Sequence, residues 1–530
     1  MKKTLALCMA GLMLCMSGCG GPRADEAQTE AGQKAQTTAA EAVAEGEQAS
    51  TSKTELLVAI DREPQALDPT GSNHSIACTI VAQMFETLLK FDDEMNVVCG
   101  LAESVEQMDE LTLKLTLRKG IKFHNGDELK ASDVIFSFKH AAETPIGMPY
   151  TDKIDLDALE APDDYTVIVK TKEPYAAIRQ ILCISHLSII SERAFTEMGA
   201  DAYARSPIGT GPFCFDSWSA GDRLSITRND EYWGDKAKLE KVTFRFITEQ
   251  TSRTVEVESG GVDMALVIPA VDYERLESNP DLELSLYTSL YVRYIAFNTT
   301  QGPLKDKKVR EALNYATDID TICEVLYTSK GAQVSTGPVP PGLMGRADGL
   351  EPYSYDPEKA RELLKEAGYE DNLEVSFTYL GNATNNLMAQ MLQEQWAKVG
   401  VTLTLNPMES GALSEYANGM KQEVMPVRTA FISGDIGEGL ETMYHSRSQG
   451  TSRINSDNPE LDALLDEAAK ELDEEKRIEL YKKAQEIIHE ESYSIYLCYE
   501  YSSIAHSAKL RGLNTPPTER VDYSRLYFVD

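Results

Sequence analysis

The side chains best placed to do chemistry lie between Val424 and Arg453, where an apolar run, VMPVRTAFI, opens into SGDIGEGLETMYHSRSQGTSRIN. Asp435 and Glu438 share a glycine-rich turn, and paired carboxylates there suit an amine; read singly, Asp435 between Gly434 and Gly437 is equally a solvated turn acid. Arg428, Arg447 and Arg453 can each fork onto a carboxylate, though each is also an ordinary surface arginine. His445, beside Tyr444, can join a metal chelate, but a lone histidine near a helix is more often structural. Catalytic patterns are missing. HEESY, His489 to Tyr493, lacks the second histidine of a zinc protease, and no GxSxG elbow occurs. GTGPF, Gly209 to Phe213, has neither the third glycine of a dinucleotide loop nor a Lys-Ser/Thr ending, so its glycines are expected to serve backbone turns. No enzyme, cofactor or resident metal is expected.

Something must position these groups, and 530 residues are too many for one core; about three domains are expected. A formal charge of −34 argues against a nucleic-acid partner, because such binding depends on Lys and Arg neutralising phosphates. Beyond the leader and Cys19, six scattered cysteines form no CxxC pair, so neither a zinc site nor a thioredoxin-like motif is supported.

The elements follow from periodicity. Leu56 to Ile60 reads as a first strand, and Ile76 to Leu89 has helical spacing. Leu111, Leu113, Leu115 and Leu117 alternate with polar residues on a half-buried strand. A turn at Asn125-Gly126 leads to a helix capped by Ser132, with Asp133 in its first turn. Further on, Asp356 caps a helix that Pro357 begins and Gly368 ends. Strand 373–379, helix 387–396 and strand 401–405 form an α/β unit; two more helices and the strand SIYLCYEY, Ser494 to Tyr501, close the chain.

Several stretches resemble one family in its order: LAES, LRKGIKFHNG and ASDV between Leu101 and Val134, MFETLLKFD, PIGTGPF, RNDEYWGDKAKLEKV, ESGGVDMALVI, and YVRYIAFNTTQGPLKDKKVREALNYATDID. Together they resemble the family 5 extracellular solute-binding proteins, the receptors of peptide and nickel ABC importers. At the amino end, Lys2 and Lys3 precede an apolar run too short to span a membrane, and Ser17-Gly18-Cys19 resembles a bacterial lipobox. Residues 1–18 are then a lipoprotein signal peptide and Cys19 the lipidated residue; ordinary cleavage is the alternative. Residues 19–53, poor in apolar side chains, read as a flexible lipid-anchored linker.

The resemblance implies an α/β, two-lobed, type II periplasmic-binding-protein-like fold of three domains, the first discontinuous. Residues 54–89, 204–300 and 498–530 make domain I, 90–203 domain II, and 301–497 domain III. It implies a monomer at the outer face of the cytoplasmic membrane, delivering di- or oligopeptides to ABC permease subunits. Nickel chelates, opines, sugars and other small solutes are the alternatives, and a secreted lipoprotein hydrolase is the reading from another class. In peptide-binding members an aspartate matching Asp435 holds the α-ammonium, and Glu438 stands where many members have the acid of an Asp-Pro pair; here Gly439 replaces that proline. Glu63 and Gln65 match positions near the first strand that contact peptide main chain. Tyr291 and Asn298 lie at the second crossing, and Arg428, Tyr444 and Arg453 complete the expected ligand set.

Overall fold

The computed structural model describes residues 53–530 except Asn73 and Asp371. The expected signal peptide (1–18), the expected lipidation position Cys19 and the expected linker up to Ser52 lie outside the described residues.

Two long antiparallel strands organise the body. Leu282–Phe297 and Ser494–Ser507 pair along their length, with register shifts between Thr288 and Val292 and between Arg293 and Tyr294. One end of each lies in lobe 1, where Met264–Leu266, Glu55–Ile60, Lys241–Phe246, Arg223–Arg228 and Phe213–Ser219 extend the sheet. The other end lies in lobe 2, where Val424–Ala430, Leu373–Leu380 and Val401–Met408 extend it the opposite way. One sheet therefore runs through both lobes, and its shared strands are the link between them.

Lobe 2 follows the periodicity closely. Asp356 accepts from Lys359 N at 3.0 Å, Pro357 opens the helix, and Gly368 beyond its end takes a left-handed φ of 86°. Leu373–Leu380 and Val401–Met408 pair in parallel around helix Ala383–Ala397, as an α/β crossover requires. Trp396 is fully buried there, and its indole donates to Thr317 Oγ1 at 2.9 Å.

Lobe 1 carries a second sheet, in the order Ala102–Gln107, Thr112–Leu117, Thr166–Lys170, Glu160–Asp163. Leu113, Leu115 and Leu117 enter its core, each contributing about 1.5–3 kcal/mol. Leu111 does not; it precedes the strand and is exposed. The next helix starts earlier than the Ser132 cap implied. It spans Ala131–Ala142, with Lys130 at the cap and Asp133 reaching back to Lys130 N at 2.9 Å, so an acid three residues into the helix does the capping. The helix expected over Ile76 to Leu89 ends at Met84, because the chain must turn extended to deliver Leu89–Phe91 to a hairpin.

The family-like stretches meet at one place. Gly211 N donates to Met84 O at 2.9 Å, and a Cβ on Gly209 or Gly211 would drive into the carbonyls of Met84 or Gln83. These glycines therefore permit close backbone approach, not the turns expected of them; neither has a positive φ. His124 of FHNG clamps the same loop: its ring nitrogens meet Gly211 O at 3.1 Å and Gly209 N at 3.2 Å. Glu86 of MFET receives Thr210 Oγ1, Tyr232 OH and Trp233 Nε1, each at 2.8 Å.

Candidate functional site

The lobes are closed onto one another beside the crossing strands. Ala176 N donates to Ala469 O at 2.9 Å, Lys470 pairs with Glu173 at 2.8 Å, and Lys153 stands 3.7 Å from Glu441. Between them polar groups of both lobes are buried together along the cleft expected of a two-lobed receptor.

Its lobe 2 wall is the turn after strand Val424–Ala430. Gly434 takes a φ of 72°, and its Cα faces Met95 and Phe91 of lobe 1 so closely that an added Cβ would come within 3.2 Å of Met95. Asp435 follows, buried at 3% exposure, as the N-cap of helix Ile436–Tyr444. Its Oδ1 accepts from Gly437 N at 2.8 Å and from Tyr481 OH at 3.0 Å. Gly437 and Gly439 are forced by packing: a Cβ would strike the Tyr481 hydroxyl at one and the Phe431 ring at the other. Glycine in place of proline at 439 thus admits an aromatic ring against the helix.

Glu438 is the unusual group. Its Oε2 is buried and has no hydrogen-bond partner. Burial, reinforced by the charges of Asp435 and Glu441, pushes its carboxyl up to about 7, against the pull of Ser433. Tyr150 and Tyr175 face it from lobe 1, each with a phenol raised first by burial and then by Glu438. Neither tyrosine carried a local signal in the sequence beyond the general abundance of tyrosine.

The floor is an ion network on the crossing strands. Glu500 meets Arg293 at 2.6 Å and Arg428 at 2.5 Å, and Arg428 also lies 3.5 Å from Glu519. Burial alone would raise Glu500, but the two guanidiniums hold it below the usual glutamate range. Tyr291 lies under the Arg428 guanidinium, 3.3 Å from ring centroid to carbon. Nearby, Asp61 Oδ1 and His74 Nδ1 are buried without partners, and His74 lies in the field of Arg428 and Glu519.

The structure brings Asp435, Glu438, Arg428 and Tyr291 to this cleft. The other expected side chains have local work. Glu63 accepts from Trp218 Nε1 at 2.7 Å and Gly221 N at 3.0 Å, while Gln65 is exposed. Asn298 pins the Met420 and Gln422 carbonyls at 3.0 and 2.9 Å. Tyr444 is fully buried against Tyr496 OH at 2.6 Å, and Arg453 bonds Asn418 and Gly450. His445, considered for a chelate, is buried with each ring nitrogen 3.4 Å from Asp462 or Asp466. Among the described residues no group of three or more His, Cys, Asp or Glu side chains is arranged to hold a metal. Arg520 escaped notice in the sequence. It lies in a stretch without regular structure, yet its charge reaches Cys78, Tyr150, His186 and Tyr291.

Two α/β lobes joined by shared strands and closed over a polar cleft define a type II periplasmic binding fold. The model for bacterial extracellular solute-binding proteins, family 5 (middle), matches residues 96–451, and the chain belongs to that family. It is 31% identical over 470 residues to the glutathione-binding protein GsiB of Salmonella paratyphi A, covering 86% of this chain and 91% of that one. The periplasmic binding protein DppA of Helicobacter pylori, solved with the peptide STSA, superposes with a TM-score of 0.80 at 26% identity over 90% of this chain and 99% of its own. HbpA2 of Haemophilus parasuis gives 0.81 at 25% identity, over 90% and 100%. The chain is thus a solute-binding protein of the ABC importer class, acting on the outer side of the membrane, and not an enzyme.

Proposed function

We propose that this receptor captures short peptides, closing its lobes over them and delivering them to a membrane permease. The observation that carries the reading is the acid pair: a buried Asp435 beside a Glu438 whose Oε2 is buried and has no partner among the described residues. An ammonium group brought there satisfies both carboxylates at once, and a charge-assisted bond in a desolvated site is stronger than in water. Tyr150, Tyr175 and the unpartnered atoms Asp61 Oδ1 and His74 Nδ1 provide donors and acceptors for a peptide main chain. Relatives named for glutathione and solved with a peptide support the same ligand class.

Closure supplies the commitment. Reversing a 1:99 bias between open and closed forms needs about 5.5 kcal/mol of differential affinity. Micromolar binding amounts to about 8.2 kcal/mol in total, so a ligand touching both lobes can supply it.

The domain division given above belongs to this reading. It is supported by separate apolar clusters, one drawn from Leu88 to Ile189, one from Leu56 to Phe85 joined by Ile190 to Leu266 and Ile504 to Phe528, and two within lobe 2 and its shared strands. Anchoring through lipidated Cys19, with residues 20–53 as tether, likewise belongs to it and is supported by the lipobox-like Ser17-Gly18-Cys19.

Native mass spectrometry of protein purified from its own host tests the function. Bound peptides are expected; a carried metal chelate, sugar or opine in their place refutes the proposal.

A further inference from the structure

A cavity of about 310 Å³ opens inside lobe 1, between the hairpin Leu89–Phe91/Val97–Cys99 and the C-terminal stretch from Asn514 to Arg525. Its wall includes Met95, which packs against the lobe 2 core, so the cavity adjoins the cleft beside Gly434. Acids and bases both line it, but they are not equally free.

Each acid is already engaged. Glu86 receives Thr210, Tyr232 and Trp233; Asp92 accepts from the backbone of Glu94 and Asn96. Asp93 and Asp522 share Arg525, at 2.7 and 3.1 Å. Two cations remain. Lys90 and Arg520 have no ion-pair partner within 4.0 Å among the described residues, and Glu519, next to Arg520, is turned to Ser75, Ser502 and Arg428. Ser185, 5% exposed, lines the same cavity with a hydroxyl that has no oxygen or nitrogen partner among the described residues and only the Cys78 thiol, a weak partner, beside it. A buried donor and a free guanidinium facing one empty space call for an anion.

We propose that this cavity is the anion subsite of the receptor, where Arg520 and Ser185 receive a ligand carboxylate and Lys90 adds charge at the rim. The inference rests on the peptide reading and narrows it. Tyr150, which faces Glu438, stacks on His186 next to Ser185 with ring centroids 5.3 Å apart, and Gly434 beside Asp435 meets Met95 of the cavity wall, so acid pair and cavity adjoin and one short zwitterion can reach both. The carboxylate is either the peptide's own terminus or an acidic side chain.

Two random tripeptide libraries, one with free C-termini and one amidated, separate the cases when offered in equal amounts to the full chain and the captured peptides are counted by mass spectrometry. Wild type is expected to enrich carboxylate-bearing peptides about tenfold or more. Enrichment of the free-acid library as a whole assigns the terminus; enrichment of Asp and Glu peptides within the amidated library assigns the side chain. Arg520→Gln should abolish the enrichment while still capturing peptides, Arg520→Lys should restore part of it, and equal melting temperatures should exclude misfolding. Capture by wild type without any preference for carboxylates, or a preference that survives Arg520→Gln, overturns this inference and leaves the peptide reading standing. Capture of no peptide at all overturns both.

Discussion

At the junction inside lobe 1, Glu86 receives three side-chain donors and His124 uses both ring nitrogens on the Gly209–Gly211 backbone. Around the seam between the lobes, Glu438 Oε2, Asp61 Oδ1 and His74 Nδ1 are equally hidden from water and have no hydrogen-bond partner among the described residues. Burying polar atoms costs free energy unless they are paired, so a fully matched cluster fixes one arrangement, while an unmatched one retains capacity for something from outside. The family-like motifs built the first kind of region. They hold the walls; the cleft's unmatched atoms are what the walls present.

Substitutions should separate the two regions cleanly. The largest effect is expected at Asp435→Ala: peptide affinity should drop by about 3–5 kcal/mol, as when one partner of a buried charge pair is removed. Losing the cap should cost the ligand-free fold only about 1 kcal/mol. Titration calorimetry and thermal melts on the same variant read both numbers; unchanged affinity rejects the anchor. Gly209→Ala is the mirror case. Its Cβ has no room beside the Met84 carbonyl, so stability should fall by about 2–3 kcal/mol in urea melts, with the affinity of the surviving folded protein unaltered.

That asymmetry also explains what could be read in advance. The α/β unit of lobe 2 was legible because its signals are local: Asp356, Pro357 and Gly368 mark a helix within a dozen residues, and alternation marks the strands on either side. The place of Asp435 at the start of a helix after a glycine-rich turn was legible locally, while its role as an anchor came only from the family resemblance. Positions set by distant partners were not. The helix through Met84 stops where the chain is needed for a hairpin, and the glycines of GTGPF answer to carbonyls more than 120 residues away. Arg520, Tyr150 and Tyr175 reach the cleft from separate segments, and no spacing rule connects them to Glu438.

Protonation offers a gentler probe of the cleft. With its carboxyl near 7, Glu438 is mostly neutral at pH 6 and a weaker partner for an ammonium. Binding an ammonium should therefore release a proton near pH 6, and affinity should rise about fivefold from pH 6 to pH 7.5, then fall as the ligand's own α-amino group, of ordinary value about 7.7–8.0, loses its proton. Glu438→Gln should flatten the rise, as measured by calorimetry in buffers of different ionisation enthalpy. An unchanged slope would remove Glu438 from the ligand's contacts.

The smallest effect expected is a pH dependence of folding that runs in opposite directions in the two regions. Burial holds His124 down at about 4, against an ordinary value of 6.5, and His186 is held there for the same reason. Between those values the unfolded chain takes up protons that the folded one refuses, so each histidine's contribution is complete above pH 6.5 and declines as the pH falls towards 4. Glu438 has the reverse sign: its folded carboxyl lies above the ordinary 4.5, so it favours folding at low pH and progressively less as the pH rises from 4.5 to 7. Acid should therefore destabilise wild type by a net amount smaller than the histidines alone dictate. His124→Gln should weaken the acid sensitivity by about 2 kcal/mol between pH 7 and pH 5, and Glu438→Gln should strengthen it. Urea melts at the two pH values compare slopes and not absolute stabilities, so the packing lost in either variant cancels. Slopes that move in the same direction would mean that the cleft acid is matched in the folded state after all, and that the contrast between the two regions does not hold.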